Sequence, residues 1–138
     1  MFMIPTLASL TAGDTSAVGR ALFASTRIAN GVGVRLVFGT DGGVLPHGRN
    51  AEEFAALLLA GLTPIEAIRA ATVNAARALG IADSVGAIGT GMSADIVAVD
   101  GDPLTDVGAL TRVRFVMLRG RVVELPAAAK PSDGGMKP

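Results

Sequence analysis

The 138-residue sequence contains no cysteine, which excludes disulfide stapling, thiolate nucleophiles and cysteine-based zinc or iron–sulfur sites. Tryptophan and tyrosine are also absent, and phenylalanine occurs only five times. The aromatic platforms on which single-stranded nucleic acids stack are therefore missing. Twelve basic residues are balanced by twelve acidic ones. With no basic stripe to track phosphates, nucleic acid is not expected as a partner. No apolar run reaches the roughly 18 residues that cross a bilayer. The apolar opening from Met1 to Leu7 has no basic flank and is interrupted by Pro5, unlike a secretory leader. A cysteine-free chain without these features is expected to be soluble and cytoplasmic, with no membrane partner. Histidine occurs once, as His47, and one imidazole cannot build a metal centre of any usual kind.

What remains is apolar and small. Half of the residues are hydrophobic and 17% are charged, enough for a sizeable core and too apolar for a disordered chain. A strand is expected at residues 2–4, stopped by Pro5 because proline cannot donate to a ladder. Val18, Leu22, Phe23 and Ile28 fit an amphipathic helix from Thr15 or Ser16 to Asn30, ended by Gly31 and Gly33. Residues 34–38 form a β-prone run that feeds the glycine-rich loop 39–43, the pattern of a buried strand.

Asn50 is expected to cap a helix from Ala51 to about Ala60, with Glu52 and Glu53 favoured in its first turn by the helix dipole. Thr63-Pro64-Ile65-Glu66 is a capping box with proline at the first helical position. It opens a single helix running to Gly80, with Ile65, Ile68, Ala71, Thr72, Ala75 and Leu79 on one side. After Gly80 the pattern changes to short β-prone runs at 95–99, 113–118 and 122–125, the last two joined by an Arg119-Gly120 hairpin. The tail from Ala127 to Pro138 reads as disordered. The expected organisation is βα units over 1–80, a small β subdomain over 81–126 and a tail over 127–138, an α/β chain.

The chemistry concentrates in Phe38-Gly-Thr-Asp41-Gly-Gly-Val-Leu-Pro-His47-Gly. Asp41 directly follows a buried strand, and in a (β/α)8 barrel a carboxylate there points into the active site. Such a group can bind a divalent metal or take a proton from an attacking water. A turn-capping aspartate explains the same Gly-Thr-Asp-Gly-Gly string. His47, after Pro46, reads either as a loop residue or as a substrate contact.

Three separated motifs then carry a resemblance. They are the string 38–48 just quoted with Asn50-Ala-Glu-Glu53, the segment Gly61-Leu-Thr-Pro-Ile-Glu-Ala-Ile-Arg-Ala-Ala-Thr72-Val-Asn-Ala-Ala-Arg-Ala-Leu-Gly80, and the β-rich residues 86–104 and 113–123. Over residues 34–124 the chain resembles the C-terminal part of the metal-dependent amidohydrolase superfamily, closest to its imidazolonepropionase-like and Xaa-Pro dipeptidase-like branches. Ile4-Pro-Thr-Leu7 is similar to the end of an earlier barrel strand. The resemblance implies the last βα units of a (β/α)8 barrel followed by a small β-sandwich segment, an incomplete barrel. It implies a hydrolase that attacks an amide or ester bond of a small molecule with metal-activated water. Asp41 then matches the metal-binding general base after the eighth strand, and His47 matches a histidine near the substrate. Thr72 and Asn74 would bond backbone near that loop.

The same resemblance implies zinc or another divalent metal, held by a His-x-His, a bridging lysine or carboxylate and two further histidines. This sequence contains none of those histidines and has room for two or three barrel strands, so it reads as a truncated form that holds few of the metal's ligands or none. A homo-oligomer or a complementing chain is the expected partner. Two other readings stand beside it: a non-catalytic remnant that serves assembly, and a metal-free esterase using His47, Asp41 and one of Ser9, Ser16 or Ser25. No Gly-x-Ser-x-Gly elbow supports the latter.

Overall fold

The protein is described by a computed structural model over residues 1–10 and 16–124; the expected disordered tail lies outside the described residues. The fold is α/β. Strand β1, Phe2–Met3, is followed by a 3-10 turn at Leu7–Ser9, helix α1 at Ala17–Gly31 and strand β2 at Arg35–Leu36. Helices α2 (Glu52–Leu59), α3 (Pro64–Ala71) and α4 (Val73–Ala78) come next. Strand β3 (Ile96–Val99), a 3-10 turn at Val107–Thr111, and strands β4 (Val113–Leu118) and β5 (Arg121–Val123) complete it.

β1 and β2 pair in parallel, with Phe2 opposite Arg35 and Met3 opposite Leu36. Parallel neighbours need a crossover, and α1 supplies it. Ser16 caps α1 by accepting from Gly19 N–H at 3.0 Å. Its inner face differs from the one expected: Leu22 and Phe23 pack on the core, but Val18 and Ile28 are 65% and 66% exposed. The buried positions are Gly19 and Thr26, because close approach selects small residues there and Thr26 returns its hydroxyl to Leu22 C=O. The core itself joins Leu7, Leu36, Leu57, Ala60, Leu62, Ala67 and Ala70. Burial of Leu57 at 0% exposure contributes roughly 1.5–3 kcal/mol.

Two further expectations need correction. Asn50 does not cap α2. Residues 49–51 form overlapping turns, with Glu52, Glu53 and Phe54 N–H bonded to the carbonyls of Arg49, Asn50 and Ala51, and Ala51 at the cap position is already helical. The Asn50 side chain instead accepts from Thr40 Oγ1 at 3.4 Å. The single helix from residue 64 to 80 is two helices, broken at Thr72 with φ −122° and ψ −95°.

The break has a physical reason. A continuous helix would give the Ala70 carbonyl to Asn74 N–H. Here that carbonyl accepts from Phe38 N–H at 3.1 Å, and the Asn74 side chain donates to Leu36 C=O at 3.0 Å. Val37 N–H bonds Met3 C=O on the opposite side. One edge of β2 thus pairs with β1 while the other is closed by the helix break, so regular ladder geometry is confined to Arg35–Leu36 within the expected run 34–38. The capping box is present as expected, with Glu66 accepting from Thr63 N–H at 2.8 Å and from its hydroxyl at 2.7 Å.

The last third forms an antiparallel sheet of order β3-β4-β5. Arg119 (φ 48°) and Gly120 (φ 75°) make the two-residue hairpin between β4 and β5, both in the left-handed region that a type I′ turn requires. Cross-strand neighbours are apolar on both faces: Val97, Val116 and Val123 on one, Ile96, Met117 and Val122 on the other. Val97 and Val122 remain 60% and 62% exposed. The 3-10 turn Val107–Thr111 buries Ala109 and lies against α2.

Candidate functional site

Because β1 and β2 run in parallel, their exits emerge at the same end. The exit of β1 carries residues 4–10 and the exit of β2 carries residues 39–51. Gly39 lets the two pass in contact: a Cβ there would sit within 3.4 Å of Thr6 Cγ2 and would overlap Ile4 Cγ2. Only glycine fits such an approach without displacing the neighbouring strand exit.

Asp41 stands two residues beyond that contact. Its backbone is left-handed, φ 49°, a region that aspartate visits more readily than most side chains. The turn is closed by Val44 N–H to Asp41 C=O at 3.0 Å. The carboxylate is exposed and takes no hydrogen bond or ion pair from another described residue. It does not cap the turn, so the turn-capping reading loses its hydrogen bond. His47 is exposed in the turn after Pro46.

Arg49 and Glu52 form a two-bond pair at 2.5 and 2.8 Å. The hydrogen bond to Glu52 raises the Arg49 pKa, and the bond from Arg49 lowers that of Glu52. An apolar cavity of about 370 Å³ lies behind the loops against α1 and α2, lined by Leu10, Phe23, Leu45, Pro46 and Leu59 among others. Neither Asp41 nor His47 lines it.

A catalytic zinc takes three protein ligands and a water. Among the described residues, no three His, Cys, Asp or Glu side chains are grouped to hold a metal. The donors among the described residues therefore do not fit a self-contained zinc site. The serine reading fares no better. Ser9 and Ser25 donate to the carbonyls of Thr6 and Leu22 at 2.7 and 3.0 Å, and Ser16 caps α1. These are turn and helix bonds, not a nucleophile–base pair.

Glu53 is an acid in the first turn of α2, as expected, and is more than that. It is fully buried, and its carboxylate accepts Leu7 N–H at 3.0 Å and Ala8 N–H at 2.5 Å. Burial raises its pKa, opposed by those two amides. A signal was present in the sequence: Glu53 precedes Ala56, Leu57 and Ala60 at i+3, i+4 and i+7, which puts it on the buried stripe.

The arrangement recurs elsewhere. The amidohydrolase family model matches residues 12–123, beginning earlier than the expected 34. An uncharacterized protein of Mycobacterium tuberculosis is 38% identical over 109 residues, covering 78% of this chain and 28% of the relative. An imidazolonepropionase of Thermoplasma volcanium is 35% identical over 79 residues, covering 54% of this chain and 19% of that protein. The crystal structure of a Xaa-Pro dipeptidase with bound methionine in its active site superposes with a TM-score of 0.81 at 31% identity, covering 90% of this chain and 34% of that one. This chain thus spans about a third or less of the proteins it matches. No helix among the described residues is long and apolar enough to cross a membrane. With the family match running from residue 12 through the exit of β2 and the β layer, this chain belongs to the amidohydrolase family.

Proposed function

We propose that the chain is the C-terminal part of an amidohydrolase-type hydrolase that cleaves an amide or ester bond of a small molecule. Residues 1–80 are the last βα units of its barrel and 81–126 its β subdomain. The observation that carries this reading is Asp41: an exposed, uncommitted carboxylate on a left-handed backbone, at the exit of a strand paired in parallel with its neighbour. Carboxylates at such exits face the substrate in barrel enzymes. In its ionised form Asp41 accepts a proton from the attacking water, and His47 in the same loop orients the substrate. Water activation by a divalent metal belongs to a longer assembly, because the described residues group no three donors of the kind a zinc requires. A complementing chain supplies the rest, in the cytoplasm.

A chimera tests this. The matched third of the Xaa-Pro dipeptidase is replaced by this chain, and hydrolysis of a Xaa-Pro dipeptide is followed. A folded chimera that turns over, and loses roughly 10²–10⁴-fold with Asp41→Asn, supports the reading. A folded chimera whose rate is indifferent to Asp41→Asn refutes it.

A further inference from the structure

The loop that bears Asp41 and His47 is attached at both ends to the same short piece of chain. At its start, Gly39 lies against the side chains of Ile4 and Thr6. At its end, the buried Glu53 carboxylate holds the backbone amides of Leu7 and Ala8. Thr40 and Asn50 bridge the loop between these points at 3.4 Å. Thr6 itself has φ 47° and opens the 3-10 turn whose first amides Glu53 receives. Those amides have no partner inside the turn, since Leu10 N–H takes the Leu7 carbonyl.

We infer that Glu53 is a positioning residue: its carboxylate clamps the exit of β1 to the helix after the exit of β2, and so sets where the Asp41 loop sits. A carboxylate in the first turn of a helix is ordinarily satisfied by exposure to solvent and the helix dipole. Glu52, its neighbour, does that while pairing with Arg49 on the surface. Glu53 is instead turned inward, where a hydrogen bond to an amide is electrostatically stronger than in water. The clamp stands on geometry alone; its consequence for catalysis rests on the hydrolase reading above.

The full chain, labelled with ¹⁵N and ¹³C, gives a direct test. A through-hydrogen-bond coupling from the Leu7 or Ala8 amide nitrogen to Glu53 Cδ is expected, and a folded sample without one overturns the clamp. Glu53→Gln removes one acceptor and Glu53→Asp shortens the reach. Each is expected to speed amide exchange at Leu7 and Ala8 roughly 10- to 100-fold relative to Ala67, whose amide bonds Thr63 within α3. If Glu53→Asp behaves as wild type, a first-turn charge is all the position needs, and the inference fails. In the dipeptidase chimera, Glu53→Gln should lower kcat several-fold with KM little changed; equal loss in both, or none, overturns positioning. A wild-type chimera without activity removes the hydrolase reading, and the coupling measurement still decides the clamp.

Discussion

Asn74→Ala tests the closed edge of β2. Its Nδ2 donates to the carbonyl of Leu36, a residue 3% exposed at the centre of the core. Alanine leaves that carbonyl without its donor, a loss of about 1–3 kcal/mol for a buried group. Asn74 is only half-buried, so water reaches part of the gap and the lower half of that range, about 1–2 kcal/mol, is expected. With a urea m-value of about 1.5–2 kcal/mol/M for a chain of this size, the midpoint should fall by about 0.5–1 M at unchanged slope. Asn74→Asp should cost more than Asn74→Ala, because an ionised oxygen then faces the carbonyl oxygen. Thr72→Val is the control: its hydroxyl serves the Ile68 carbonyl on the exposed side, and its loss should stay within about 0.5 kcal/mol. Urea unfolding followed by far-ultraviolet circular dichroism reads all three. If Asn74→Ala lies within about 0.3 kcal/mol of wild type, or Asn74→Asp is the milder change, the hydrogen bond does not hold the helix break and the account of the edge is wrong.

In the dipeptidase chimera, Asp41→Asn should lower kcat far more than His47→Ala, which should act mainly on KM; the reverse ranking points to a Ser–His mechanism. Calorimetric titration of the isolated chain with zinc should give no stoichiometric sub-micromolar binding, and such binding abolished by Asp41→Ala would reveal a site shared between copies. Light scattering at micromolar concentration should give more than a monomer mass, since the faces exposing Val97 and Val122 are apolar; a folded monomer refutes this. The acid limb should be split in sign. Glu66 is lowered first by the Thr63 backbone amide, Asp100 by its hydrogen bond to Arg114 and Asp106 by its bond to Arg112. Their stabilisation is present above the ordinary carboxylate pKa and is lost as pH falls through the depressed values. Glu53, raised by burial, works in the opposite direction, its contribution being lost as pH rises through its raised value. Glu66→Gln should therefore flatten the fall in stability below the ordinary carboxylate pKa, whereas Glu53→Gln should act above that value, removing a gain in stability as pH falls toward it.

Local chemistry alone settles much of this molecule. Pro5 ends β1, Ser16 caps α1, Thr63 and Glu66 open α3, and Arg119-Gly120 turns the hairpin, because each depends only on neighbours within four residues. The placement of Asp41 at a strand exit was legible for the same reason. Tertiary structure decided the rest. Whether the helix continues through Thr72 depends on the Phe38 amide and the Leu36 carbonyl, more than thirty residues away. Whether Glu52 or Glu53 turns inward depends on two free amides at Leu7 and Ala8. Periodicity records which side of a helix is apolar; it does not record which distant backbone groups still lack a partner, and in this chain those groups broke one helix and buried one carboxylate.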